Sequence, residues 1–318
     1  MYNIIPKHRK ETDMEFIRYK KGEIIPGKER VLALGMFDGA HIGHRRLLLS
    51  AREIAEKGGL SFAVFTFLSE SFSPKGGAFL YSTEERLEIF ERLGVDEVIA
   101  ADFDSVASTT PEEFVSCSLI RDMRCAAAVA GFDFRFGKGA SGNAETLARL
   151  MEERGKGCVI EGAHLYNGEK ISTGKIKELL SLGRVSEANH LLGEPYFMYS
   201  SVEEGEGRGR TLGFPTINTS LSGREGILKY GVYRTRVDTG DASYVGLTNV
   251  GICPTFTERE AHAETYILDY AGDLYGKKVK ISFMSFLREE KKFSEEGELV
   301  EQIKTDKDKA IREAKEDK

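Results

Sequence analysis

The chain has 318 residues, 41% of them hydrophobic and 30% charged. That length suits two domains, and that mixture builds cores and excludes a disordered chain. Lys and Arg total 45 against 51 Asp and Glu, a net charge of −6, which argues against a general nucleic-acid binder or a protein of anionic membrane surfaces, since both need a basic face.

No apolar run approaches the ~20 residues of a membrane helix, and Met1 to Asp13 lacks the apolar stretch of a signal peptide. Cys117, Cys125, Cys158 and Cys253 show no paired spacing and read as free thiols in a reducing, cytoplasmic compartment.

The first part of the chain alternates strands and helices. Val31–Leu34 is an apolar run that ends in Gly35, as a buried strand does. Leu47, Leu48, Ala51 and Ile54 recur at helical spacing within Arg45–Glu56, and Gly58-Gly59 stops that helix. Ser61–Phe67 is the next predicted strand, and Ser82–Leu93 a helix capped at Ser82 or Thr83 with Glu85 in its first turn. Val95–Ala100 and Ala126–Ala130 read as strands and Asn143–Glu153 as a helix. Repeated strand–helix units imply a parallel sheet covered on both faces, an α/β fold. Two short helices, marked by Ile176, Leu179 and Leu180 and then by Ala188, Leu191 and Leu192, close this part. The expected boundary lies near residue 190, dividing 14–190 from 191–318.

After Pro195 short strands alternate with Gly- and Asp-rich turns: Tyr196–Val202, Gly231–Val237, Ser243–Asn249, His262–Asp269 and Val279–Ser285. That texture predicts an antiparallel barrel or sandwich. A terminal helix starts near Ser294, and its charged end, Lys304 to Lys318, reads as a solvated stretch that frays.

Two constellations carry chemistry. Residues 35 to 44 read G-M-F-D-G-A-H-I-G-H between a predicted strand and a predicted helix, where an open α/β sheet binds ligands and a helix N-terminus offers free N–H groups to phosphate. Gly39 and Gly43 let backbone approach a ligand, and His41 and His44, three apart, can serve one side. Taken alone, such a pair also suits metal ligation or an ordinary helix start. Further on, residues 205 to 218 read G-E-G-R-G-R-T-L-G-F-P-T-I-N. Gly205, Gly207 and Gly209 form an amide-rich loop suited to polyphosphate, with Arg208 and Arg210 adding charge. Thr216 and Asn218 lie two apart and face one way on an extended segment, so their oxygens can hold one Mg²⁺.

The first string resembles the HxGH signature of nucleotidyltransferases, in the form found in bacterial FAD synthetases. Gly131-Phe132-Asp133-Phe134-Arg135-Phe136-Gly137 is similar to that family's G-x-D-F-x-F-G loop. The second block resembles riboflavin kinase, and Asn249–Phe256, Ala263–Asp269, Asp273–Gly276 and Phe286–Phe293 agree with it in order. The resemblance to bifunctional riboflavin kinase/FMN adenylyltransferases runs from about Met14 to the terminal helix, so residues 1–13 are expected to be an extension, or Met14 the true start.

It implies a Rossmann-like nucleotidyltransferase domain followed by a riboflavin kinase barrel. It implies riboflavin, FMN and ATP as substrates and magnesium with the ATP. By the match His41 and His44 are catalytic, and Gly35, Phe37, Asp38, Gly39, Gly43, Asp133, Ser172, Thr173 and Lys177 handle nucleotide. Gly205, Gly207, Arg208, Gly209 and Arg210 do so in the kinase, Thr216 and Asn218 hold its metal, Glu264 is the general base, and Arg288 sits near the flavin.

The departures are in the first domain. Phe67–Ser71 lacks the family's Pro-His-Pro triplet, and Ile171–Lys177 has Gly174 for Thr and Lys177 for Arg in I-S-S-T-x-x-R. Lysine keeps the charge and loses the two-pronged geometry. There are three rival readings: a kinase with a decayed first domain, a non-catalytic flavin-binding module, and a cytidylyltransferase, which leaves the kinase block unexplained.

Overall fold

Six parallel strands form the first sheet: β1 (Glu15–Tyr19), β2 (Arg30–Leu34), β3 (Ser61–Phe67), β4 (Glu97–Ala101), β5 (Cys125–Gly131) and β6 (Gly157–Glu161), in the order β1-β4-β3-β2-β5-β6. This computed structural model describes residues 14–67, 78–205, 208–252 and 261–317. Strands β2 and β4 are buried along their whole length, which is why each, after an opening charged residue, is a continuous apolar run rather than an alternating one.

The sheet carries α1 (Ile42–Gly58), which buries Leu47, Leu48, Ala51 and Ala55 and ends at Gly59 with a left-handed φ of 64°. It also carries α2 (Thr83–Arg92), which starts with a reciprocal cap between Ser82 and Glu85, and α3 (Ala144–Glu152). Between β4 and β5, residues Phe114–Asp122 wind as a π-helix, a wider turn that sequence periodicity did not reveal. Arg30, 1% exposed, is held by Glu97 at 2.8 Å and by the carbonyls of Met123 and Pro26. A guanidinium so buried is tolerated only because its donors are satisfied.

The chain divides into two compact units between Thr173 and Gly174. The second begins within α4 (Thr173–Ser181) and continues with α5 (Val185–Leu192). Asn189 of α5 donates to the Phe283 carbonyl at 2.9 Å and accepts from the Tyr196 N–H at 2.8 Å. Residues 174–190, read from the sequence as the close of the first domain, thus belong with the barrel of the second unit.

This barrel is closed and antiparallel. It consists of β7 (Tyr196–Glu203), β8 (Thr216–Ser220), β9 (Gly231–Asp238), β10 (Ser243–Ile252), β11 (Ala261–Ile267) and β12 (Lys278–Arg288), ordered β7-β8-β11-β10-β9-β12. Buried hydroxyls of Thr235, Thr248 and Thr265 form a chain across three neighbouring strands, at 2.8 and 2.9 Å.

The terminal helix α6 (Glu296–Glu316) overturns the expectation of a fraying solvated end. Asp306 is buried and takes the Arg288 Nε at 2.9 Å. Arg234, also buried, pairs with Glu313 at 3.3 Å and with Asp317. Three carboxylates of the run thus meet barrel arginines, and the helix stays wound almost to its last residue.

Candidate active sites

In the first unit the G-M-F-D-G-A-H-I-G-H string leaves the C-terminal end of β2, beside the end of its neighbour β5. The two strands lead their connections to opposite sides of the sheet, which opens a crevice there. The loop is strained: Phe37 and Ala40 hold left-handed φ values of 51° and 40°. Such backbone persists when its surroundings over-determine it. Phe37 is fully buried, edge-on to His44 at 5.3 Å and to Phe90 at 5.8 Å. Asp38 accepts the Leu80 N–H at 2.7 Å, so its carboxylate pins the loop to the segment before α2. A side chain at Gly39 would meet the Thr173 hydroxyl at 3.1 Å, which places Thr173 against this loop.

His41 caps α1: its Nδ1 accepts the His44 N–H at 3.2 Å. The ring proton of His41 therefore sits on Nε2. The two imidazoles stack with centroids 3.7 Å apart. Burial first, then the nearby Lys170 ammonium, push His41 down to about 4. Burial, His41 and Lys170 hold His44 well below its ordinary value. At neutral pH both are uncharged hydrogen-bonding groups. The Nδ1 of His44 is buried without a hydrogen-bond partner among the described residues.

A cavity of about 610 Å³ opens beside them, lined by Gly35, Phe37, His44 and Asp133 and by a ring of phenylalanines that includes Phe65, Phe67, Phe114 and Phe134. The lining combines many aromatic side chains with a few polar ones, which suits an aromatic ligand with a charged end. Asp133 is paired with Lys170, whose ammonium also lies 4.8 Å over the Phe132 ring. Lys170 and this aromatic lining were not found from sequence. Lys177 lies four residues beyond Thr173 on α4, one helical turn on.

In the barrel, Asn218 of β8 stands directly opposite Glu264 of β11, and Glu264 directly opposite Asn249 of β10. Directly opposed residues share a face. Ala263 and Thr265 on either side of Glu264 are buried while Glu264 is exposed, so the three side chains stand on the face away from the filled interior. Thr216, two before Asn218, shares that face.

The glycine loop presses on this group. A side chain at Gly205 would overlap the Asn218 Nδ2, and one at Gly209 would overlap the Phe214 carbonyl and come within 3.2 Å of the Thr216 hydroxyl. A second cavity of about 390 Å³ is lined by Arg210, Thr216, Tyr270, Asp273 and Tyr275. Gly207 lies outside the described residues, as do residues 253–256 of the Asn249–Phe256 stretch, Cys253 among them, and all of Phe67–Ser71 but Phe67. Arg208 is the first residue of a short helical turn, Arg208–Thr211. Arg288 is engaged by Asp306 and lies 5.9 Å from the Phe293 ring. Among the described residues, no group of three or more His, Cys, Asp and Glu side chains could hold a metal, and no helix is long and apolar enough to cross a membrane.

A strained phosphate-type loop on a parallel sheet and a glycine-clasped polar face on a barrel define a two-domain, nucleotide-using transferase. Comparison with known proteins narrows this. Residues 26–175 match the family model described as FAD synthetase, and residues 192–313 the one described as riboflavin kinase.

A bifunctional riboflavin kinase/FMN adenylyltransferase of Bacillus subtilis is 36% identical over 89% of this chain and 92% of its own length. Its Escherichia coli counterpart is 32% identical over 88% and 91%. A crystal structure described as a macrolide-efflux protein from Streptococcus pneumoniae covers 92% of this chain and 97% of that one, at 32% identity and TM-score 0.83. The chain belongs to the bifunctional riboflavin kinase/FMN adenylyltransferase family.

Proposed function

We propose residue roles for the two reactions of this family, which this enzyme carries out with ATP: phosphorylation of riboflavin by the barrel and adenylylation of FMN, with release of pyrophosphate, by the parallel-sheet unit. The observation that carries the reading is that each reaction's motif residues, Lys177 apart, gather within one compact unit. The experiment is turnover of riboflavin with ATP and magnesium, followed by chromatography of FMN and FAD. Absence of both products, with riboflavin still bound, leaves a binding module.

In the barrel, Thr216 and Asn218 offer hydroxyl and amide oxygens on one face. Gly205 sits against the Asn218 amide, and only a residue without a side chain leaves that group room to serve a ligand. This donor set fits magnesium, a hard cation that keeps waters and shares itself with phosphates. When bound, the metal screens phosphate charge during transfer. Glu264, opposite Asn218, takes the proton of the riboflavin 5′-hydroxyl as its oxygen attacks the γ-phosphorus and the bond from that phosphorus to the departing ADP breaks. The N–H groups of Gly205, Gly207, Arg208 and Gly209 and the Arg210 guanidinium hold the nucleotide phosphates. Arg288 sits at the flavin end, oriented by Asp306.

In the first unit, the FMN phosphate attacks the α-phosphorus of ATP at the N-terminus of α1. Free N–H groups and the Nε2–H of His41 stabilise charge as it builds on the phosphate oxygens, with His44 beside it. Gly35, Phe37, Asp38, Gly39 and Gly43 shape the cradle, while Asp133, Ser172, Thr173 and Lys177 complete the nucleotide contacts. A cytoplasmic location belongs to the same reading, supported by free Cys117, Cys125 and Cys158. A second reading, a kinase with a decayed first unit, is favoured by Gly174 and Lys177 and by the missing Pro-His-Pro triplet at Phe67–Ser71.

A further inference from the structure

A third imidazole stands at the start of α1. A Cβ on Gly43, the second residue of that helix, would lie 3.2 Å from the Nδ1 and Cε1 of His41 and 3.5 Å from the Cδ2 of His164. His164 thus packs on the first helical turn, alongside the His41 ring, and the two are electrostatically coupled. Its backbone is tied to the phosphate segment: the Ile171 N–H donates to the His164 carbonyl at 2.9 Å, one residue before Ser172.

The Nε2 of His164, bonded to the Cδ2 that faces Gly43, is buried and has no hydrogen-bond partner among the described residues. The residue as a whole is partly exposed, but this ring nitrogen is enclosed and unpaired, which is costly. What lies next to it is a 17-residue helix whose first N–H groups attract anions. A phosphate docked there would satisfy helix and imidazole together.

We propose that His164 is a third phosphate-contacting imidazole of the adenylyl-transfer site, donating from Nε2 to an oxygen of the ATP triphosphate. The assignment rests on adenylyl transfer taking place at α1. It gives the site three neighbouring imidazoles where the motif shows two. It also places one of them on the segment that leads into Ser172 and Thr173, so a phosphate there would be gripped from both loops.

The test uses the full-length enzyme and measures both reactions in each preparation. His164→Ala should lower kcat/KM for ATP in FAD formation by about 10–100-fold, the value of a hydrogen bond to a charged group, and slow pyrophosphorolysis alike. FMN formation by the same sample should stay within about twofold, which certifies folding. His164→Gln, whose amide nitrogen reaches the Nε2 position, should restore most of the loss.

In the unmodified enzyme, the ¹⁵N resonance of His164 Nε2 should move when an ATP analogue with a methylene between its α- and β-phosphates is added. FAD formation unchanged in His164→Ala, glutamine no better than alanine, or an unmoved resonance would overturn the assignment. An unmodified enzyme that makes FMN and no FAD would overturn the adenylyl-transfer reading itself. The two failures are thereby distinct.

Discussion

Asn218 and Glu264 face each other across adjacent antiparallel strands, with Asn249 on the far side of Glu264. The barrel therefore sets the proposed metal ligand and the proposed base at one level, on rigid strands rather than on a loop. Asn218→Ala should abolish FMN formation from riboflavin while FMN-to-FAD conversion persists, measured by chromatography from each starting flavin. Equal loss of both conversions would contradict the separation of sites.

Glu264→Gln keeps the shape of the side chain and removes its basicity. The kinase kcat should fall on the order of 10²–10⁴-fold, and riboflavin affinity, read by flavin fluorescence, should change little. A variant with normal turnover removes Glu264 from the mechanism.

Gly205→Ala should be as damaging to the kinase as loss of a ligand, since the added methyl overlaps the Asn218 amide. The effect is one of displacement rather than of folding. Thermal stability should therefore drop by about 1 kcal/mol, and kinase turnover far more. Adenylylation in the same sample is the control, and preserved kinase activity would show that the loop yields freely.

The stacked histidines make a pH prediction. Unfolded, His41 takes a proton as pH falls through its ordinary 6.5; folded, it resists until about 4. Between those values the unfolded chain binds more protons, so stability is full above pH 6.5 and declines as pH falls toward 4. The contribution of His41 is ~3 kcal/mol. Melting temperatures measured from pH 7 to pH 5 should fall more steeply in the native protein than in His41→Gln. Parallel slopes would mean that His41 titrates alike in the folded and unfolded chain.

The altered phosphate segment is the place where gain of function is expected. Gly174 lacks the hydroxyl that the family's I-S-S-T-x-x-R pattern implies at this place, a neutral hydrogen bond of about 0.5–1.5 kcal/mol. That is a penalty of roughly tenfold at most in ATP handling. Gly174→Thr combined with Lys177→Arg should lower KM for ATP in FAD formation and leave the kinase as it was. No detectable FAD from the native chain at millimolar ATP and magnesium would favour the reading with a weakened first unit.

Much of this architecture was legible in the sequence because buried strands write themselves plainly. Ser61–Phe67 is a strand with the bounds its apolar run predicts, and Ser82 and Glu85 form the cap their spacing suggests. In the parallel sheet, the strands that sequence reading passed over are the two edges; in the barrel it is Thr216–Ser220. Glu15–Tyr19 buries fully only Tyr19, and Gly157–Glu161 buries none of its residues fully, so neither carries a strong apolar signal.

The sites divide the same way. HxGH and PTxN are local strings, and local strings are readable. The opposition of Asn218, Glu264 and Asn249 depends on pairing strands that are distant in the chain. Likewise Lys170 and His164 reach α1 only through the fold, from a segment with no spacing of its own to advertise them.

The salt-bridged terminal helix has an evolutionary consequence. Asp306, Glu313 and Asp317 answer to Arg288 and Arg234 on the barrel wall, and a buried guanidinium stripped of its carboxylate is far costlier than a surface charge that is merely altered. These positions are consequently not free to drift one at a time. Among relatives, a change at Arg234 should arrive with compensating changes in the last two turns of the helix. A strongly charged stretch of the chain would then vary in step with a buried side chain of the barrel.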